Sequence, residues 1–377
     1  MATRVQGRQR ASHKIHRGQA LAGWLFVLPS LALLLIFLVL PILMALWVSV
    51  SDWTGNGSPF SSDVHFVGAD NYATLLTGGG LAEQDFATSL RNNAYYVFLV
   101  VPVQTVLSLV LAVLVNQRVR ARGAFRTAFY FPSVTSAVAI TVLFLFLFSG
   151  TGVVNRIIGF FGASGPNWIT DPRGVIHVIL GALGVSQPPA WMQNAPLLGI
   201  SWWQWLAGPS VAMLVFIIMA VFTTSGTFML LFLAALQNIG AEVDEAATMD
   251  GAGAWQRFRY VTVPMLKPTI FTVTTLGLIA TWQVFDQIYT GTQGGPSKTT
   301  LTPAFLSYQT SFLGQNWGEG AAIAFILFII IVVFTALQRL VLRERDVVPR
   351  RKRFHRRGGP GPGMPAGAGV TASAKES

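Results

Sequence analysis

The chain has 377 residues, of which 52% are hydrophobic and 11% charged, with 27 Phe and 11 Trp; water-soluble domains carry roughly 25% charged residues, so this composition excludes an ordinary soluble domain and expects lipid around it. The formal net charge of +11 does not point to nucleic acid, because the basic residues fall in short stretches between apolar segments and in two tails, as membrane topology requires. The absence of Cys excludes disulfides, thiolate zinc sites and thiol catalysis, and the five His are scattered, so neither a metal centre nor a catalytic cluster is expected.

In chain order, residues 1–20 form a basic segment with Arg4, Arg8, Arg10, Lys14 and Arg17. Six stretches then approach or exceed the roughly 20 apolar residues that a helix needs to cross a hydrocarbon core: Leu21 to Leu46, Tyr95 to Val115, Phe129 to Phe148, Val211 to Leu233, Thr269 to Phe285 and Ala321 to Leu340. Helix is the expected form, because an open strand in lipid leaves backbone groups unpaired. The first stretch runs too far to be a signal-peptide core and has no small-residue cleavage site after it, so it reads as a retained span. With the N-terminus inside, the cytoplasmic pieces hold 22 of the 26 Lys and Arg, whereas the acidic residues split almost evenly. Both termini are therefore expected in the cytoplasm.

Two outer loops are long. Ser51 to Asn93 contains Phe66-Val67-Gly68-Ala69-Asp70-Asn71-Tyr72, a turn feeding a surface helix. Ser149 to Gly208 contains an apolar piece from Gly174 to Val185 and the cluster Trp191, Trp202, Trp203 and Trp205. That piece is short for a span and reads as an interfacial or re-entrant helix beside an aromatic belt. A seventh crossing would invert every later loop against the charge count. Residues 342–377 are basic and then rich in Gly, Pro and Ala, and read as a disordered cytoplasmic tail.

The loop at 236–266 between spans four and five is too polar for lipid and too structured for a linker. Asp244 is a candidate N-cap with Glu245 in the first turn; Ala246, Ala247 and Met249 follow as a small-sided helix, and Gly251 can leave it. A second helix near Ala254 would present Trp255 and Phe258 on one face. Pro264 and Pro268 bound the return to the membrane, Pro268 in the first turn of span five. The segment suits a knob that docks into another protein.

This loop resembles the signature of the inner-membrane permeases of ABC importers, in the sugar-permease group that includes the maltose and glycerol-phosphate importer subunits. Glu245, Ala246, Ala247, Asp250, Gly251, Ala252 and Pro264 match at the family spacing, with Gly240 where the family has Pro. Phe66 to Tyr72, Phe125-Arg126 with Phe131-Pro132, Gly152-Val153 with Asn155, and Gly294-Gly295-Pro296 are similar to further family elements, so the resemblance covers about residues 20 to 340, a permease domain at 21–341. The Trp-rich insertion between about Arg173 and Trp203 lies outside the common pattern.

The resemblance implies an all-α polytopic protein of the bacterial inner membrane with the type I importer fold. It also implies a second permease subunit, two copies of a cytoplasmic ATPase holding ATP and Mg²⁺, and an extracytoplasmic solute-binding protein, with Glu245 pairing to a basic residue of the ATPase. The chain itself carries no phosphate-binding Gly-rich loop and so no cofactor is expected in it. Transport then needs only a polar path through the apolar helices. Gln104, Thr135, Thr224, Gln283 and Asp286 are candidates for its lining, with Trp282 to stack on a sugar face, set against the common use of such residues in helix packing. A secondary transporter would also have six spans, but would need ionisable groups inside them, and a membrane-embedded enzyme would need a convergent His, Asp or Glu cluster; neither is found in the sequence.

Overall fold

The computed structural model describes residues 9–117, 120–185, 187–194 and 196–342; the readings for the first eight residues and the tail from 343 lie outside them. Helix α1 (Gln9–Leu34) runs through a π-turn at Leu35–Val39 into α2 (Leu40–Ser49), apolar from Ala22 onward. The chain continues through α3 (Asp70–Thr77), where the Asn71 amide donates to the Ser49 and Ser51 carbonyls at 3.0 Å each and so ties this loop to the end of the first span. Helix α4 (Leu81–Asn116) has 36 residues and begins fourteen residues before the expected second span. Its first turns are polar, which hides them from hydropathy, yet Phe86, Ser89 and Asn93 are buried against neighbouring elements.

The third span is a correction. Instead of one rod from Phe129 to Phe148 there are two helices, α5 (Arg122–Val134) and α6 (Ala137–Leu147), bent by 98°. Thr135 and Ser136 are extended (ψ 145° and 133°), which ends one helix before the next begins. Next follow α7 (Val153–Phe160), α8 (Val175–Ala182), α9 (Ala190–Asn194), a short hairpin of β1 (Pro196–Leu197) and β2 (Ile200–Ser201), and α10 (Trp202–Trp205). Leu198 and Gly199, both at positive φ, form the tight hairpin turn. The expected short apolar helix is thus α8, with eight residues, far below a crossing length.

Helix α11 (Val211–Gln237) is the hub: 56% of its most apolar window is buried, against 6% for the first span. It packs on α4 and α5, with Gly226 at the closest approach to Phe129 and Ser133. The polar loop after it folds as α12 (Ala241–Met249), α13 (Ala254–Arg257), a π-turn and α14 (Val263–Met265), then a 66° bend into α15 (Lys267–Trp282). Span five therefore ends at Trp282, three residues earlier than expected. Helices α16 (Asp286–Gly291) and α17 (Pro303–Tyr308) lie beyond it, and α18 (Trp317–Leu342) closes the bundle against α15, α17 and α2. Among the described residues four helices are long and apolar enough to span a membrane, or up to six when each bent pair is one span.

Candidate functional site

The 98° break between α5 and α6 leaves a cleft of about 270 Å³ against α11. Its polar wall is made of hydroxyls: Ser133 and Thr135 at the break, and Thr223, Thr224 and Thr227 on α11, with the Gln287 amide from α16. The apolar remainder includes Pro132, Ile140, Met219 and Phe228. No charged side chain lines it among the described residues. Several of these hydroxyls are also structural. Ser133 donates to the Thr223 carbonyl at 2.6 Å and accepts the Thr227 N–H at 3.1 Å, so it inserts into one step of the α11 ladder. Thr224 Oγ1 lies 2.6 Å from Gln104 Oε1 and 2.7 Å from the Ala220 carbonyl.

Of the six path candidates, Thr135 and Thr224 line the cleft. Gln104 stands behind Thr224, fully buried, with its amide nitrogen unpartnered against Gly277. Gln283 and Asp286 are exposed at the end of span five and are not in the wall. Trp282 is a correction: its ring is 1% exposed, packed 5.4 Å from Phe334 among Val97, Val101, Leu327 and Ile331, with no face left for a sugar. Gln287 and Thr227 are cleft residues that the reading of the sequence did not nominate as path residues. Thr227 was visible as a hydroxyl inside an apolar span, whereas Gln287 lies past the apolar run and carries no such signal.

The knob at 236–266 is better ordered than a connector requires. Helix α12 starts at Ala241 on Gly240, which is in an extended conformation, so Asp244 is not the N-cap and Glu245 lies in the second turn. The Glu242 carboxylate folds back over Gly240, placing negative charge at the helix start. At the other end the Gly251 N–H bonds Thr248 O and the Ala252 N–H bonds Ala247 O, each at 3.0 Å, with Gly251 at φ +79°. This paired C-terminal closure needs the left-handed conformation that glycine adopts without strain. Arg257 reaches back to Asp244 Oδ2 at 3.0 Å and Thr248 Oγ1 at 2.7 Å, fixing α13 to α12. Ala247 turns inward, while Glu245, Ala246 and Asp250 are exposed beside Met249, Trp255 and Tyr260, whose large side chains are 88%, 71% and 72% exposed. Ala252 and Pro264 are half-buried supports beneath this face.

Residues 104–346 match the family described as "Binding-protein-dependent transport system inner membrane component". The chain belongs to that family. The permease is 32% identical over 329 residues to the lactose transport system permease protein LacF of Rhizobium radiobacter, covering 86% of this chain and 94% of the relative. It is 29% identical over 332 residues to the trehalose/maltose transport system permease protein MalF of Thermococcus litoralis, covering 88% and 97%. A bacterial alginate ABC transporter, solved in complex with alginate pentasaccharide-bound periplasmic protein, shares the fold, with TM-score 0.64 at 19% identity over 89% of this chain and 98% of that one. The protein is thus a permease subunit of a binding-protein-dependent ABC importer, a multi-pass inner-membrane component with the type I importer fold, and a transport component rather than an enzyme.

Proposed function

We propose that this permease forms one half of a path for a neutral saccharide, with the cleft at the α5/α6 break as its part of the lining. The observation that carries this reading is the wall itself: five hydroxyls and one amide, with apolar surface between them and no charge. Such a wall offers weak, exchangeable hydrogen bonds to sugar hydroxyls and repels ions by leaving them undercompensated. The names of the relatives, transport permeases for lactose and for trehalose and maltose, agree with this class.

In this reading the half-path is completed by a second permease subunit, and the solute arrives from an extracytoplasmic receptor. Two copies of a cytoplasmic ATPase hold ATP and Mg²⁺, and one docks on the exposed face around Glu245, Ala246 and Met249. Both termini then lie in the cytoplasm, on the side of the knob, in agreement with the excess of Lys and Arg there.

The test is uptake by the assembled importer in proteoliposomes containing ATP. With lactose, trehalose or maltose presented on the receptor, uptake should require ATP and fall in Thr224→Val and Thr227→Val while complex yield is unchanged. Uptake of a charged solute in preference to any neutral sugar, or sugar uptake that the cleft variants leave untouched, would overturn the assignment of the cleft.

A further inference from the structure

The outer insertion closes on its own base. Gly174 pairs with Ser210, the Val175 N–H donates to Pro209 O at 2.9 Å and the Val211 N–H to Arg173 O at 3.0 Å, so residues 175–209 leave and return at one point. What the insertion covers is Arg91 of α4. Its side chain is nine-tenths buried, and its partners are all neutral: Asn92 Oδ1, reached by Nε at 3.3 Å and Nη2 at 2.8 Å, and the Gln204 carbonyl, reached by Nη1 at 3.1 Å. No described carboxylate pairs with it. Nearby acids are engaged elsewhere, Asp171 with Arg173 at 2.7 Å and Asp85 with Lys298 at 2.6 Å. A buried guanidinium without a counter-charge is costly, and its remaining N–H groups form a fork suited to an oxyanion.

That fork borders an open cleft. Arg91, Arg173 and His177 line a hollow of about 280 Å³ together with Gln204 and Ser210. Arg173 bonds Asp171 through Nε and Nη2, leaving Nη1 without a partner among the described residues. The hollow shares Arg173, Gly174 and His177 with a neighbouring one of about 390 Å³, whose other walls are Val178 and Gly181. The same insertion exposes Leu183, Trp191 and Trp202. One cationic end, one apolar arm and exposed Trp on the same insertion, the residue concentrated at headgroup depth, together describe a site for an amphiphile with an acidic head.

We propose that this cleft binds a phosphate group, held by Arg91 with Arg173 beside it, and that a membrane phospholipid headgroup is the source its apolar arm is shaped for. The bound anion supplies the counter-charge Arg91 lacks and fixes the insertion to α4. The inference takes from the proposed topology only that this face lies outside. Its readout is lipid retention, which does not depend on transport, so a failure of the sugar assignment leaves it standing and the reverse.

The importer complex is reconstituted in nanodiscs of phosphatidylcholine with and without phosphatidylglycerol, and retained lipid is identified by native mass spectrometry after detergent release. Thermal unfolding in added inorganic phosphate is measured in parallel. Retained phosphatidylglycerol should dominate in the wild type and be lost in Arg91→Gln. Because Arg91→Gln also removes the bond to Gln204, Gly181→Leu is the second variant: a Cβ there meets nothing within 4 Å, so it fills the apolar arm with the fold intact. It should lose lipid yet keep any response to inorganic phosphate. Stabilisation by inorganic phosphate that disappears in Arg91→Gln, without lipid preference, would support the phosphate site and assign its source to water. Equal retention of both lipids with no phosphate response, or retention unchanged in both variants, would overturn the proposal. So would an Arg91 dependence seen only with the receptor docked, which would assign the cleft to an acidic side chain of that protein.

Discussion

The Ser133 hydroxyl donates to the Thr223 carbonyl at 2.6 Å and receives the Thr227 N–H at 3.1 Å, so α5 is stitched into the α11 ladder at the break that opens the cleft. Ser133→Ala removes both bonds and leaves this step of the ladder to re-form on its own, at a cost of about 1 kcal/mol. Gly226→Ala acts at the same crossing by sterics: its Cβ would overlap the Phe129 carbonyl and the Ser133 hydroxyl. The expected order of loss in thermal stability of the purified complex is Gly226→Ala greater than Ser133→Ala. Equal, negligible shifts for both would mean that α5 and α11 do not hold this contact in the assembled importer.

Trp282→Ala should act on assembly before it acts on uptake. Its ring fills the space between α4, α15 and α18, and truncating so large a buried side chain leaves a cavity costing about 3 to 5 kcal/mol. Yield and melting temperature should fall, and Trp282→Phe should restore most of both. Normal yield with altered sugar preference would return Trp282 to the path.

How much of this was visible beforehand differs by residue. The spans came from hydropathy, and the knob from a capped polar helix between two of them, because both signals are local. Thr135 and Thr224 were found as hydroxyls in apolar runs. Trp282 was misplaced for a related reason: a Trp in an apolar helix looks the same whether it faces a path or Phe334, since only packing decides the face. The break at Thr135 and Ser136 left no mark on hydropathy, which averages across it, although Pro132 and two adjacent hydroxyl residues are compatible with a helix end. Asp244 reads as an N-cap on residue type alone; Gly240, extended just before the helix, sets the start four residues upstream.

The Trp-rich insertion should loosen as pH falls. His177 stacks on Trp203 with centroids 4.2 Å apart, and its Nε2 lies 3.1 Å from the Trp203 carbonyl, a tautomer that donates there while remaining neutral. Burial, assisted by the Arg91 charge and opposed by that hydrogen bond, holds its pKa below the ordinary value. A depressed folded-state pKa means the neutral ring is favoured in the native state, so its contribution is present above the ordinary value, about 6.5, and is lost as pH falls below it through the folded pKa. Amide exchange in residues 175–206 should therefore be faster at low pH than at neutral pH after correction for intrinsic rates, and His177→Phe should flatten that difference. Acid-independent protection in the native chain would show that the ring titrates freely.

Glu245 gives the decisive test of the knob. It is exposed in the second turn of α12 and makes no ion pair among the described residues, so its folding role is small and Glu245→Lys should leave the permease inserted and accumulated. The macrodipole acts mainly within the first turn, which makes the local cost less than the usual 0.3 to 1 kcal/mol, roughly, for a misplaced terminal charge. Opposite a basic ATPase side chain the same change creates a like-charge contact that can cost several kcal/mol, so the interface term exceeds the folding term. The ATPase should be lost on purification, or its hydrolysis should continue without uptake. Gly251→Val damages the same function by another route: φ of +79° is strained by about 1 to 3 kcal/mol for a β-branched residue, and the closure by Thr248 and Ala247 opens. An acidic substitution at the contacting ATPase residue should therefore rescue Glu245→Lys in part and Gly251→Val not at all. A Glu245→Lys complex that assembles and transports at wild-type levels would show that the ATPase binds elsewhere, and would leave Met249, Trp255 and Tyr260 exposed without a partner to cover them.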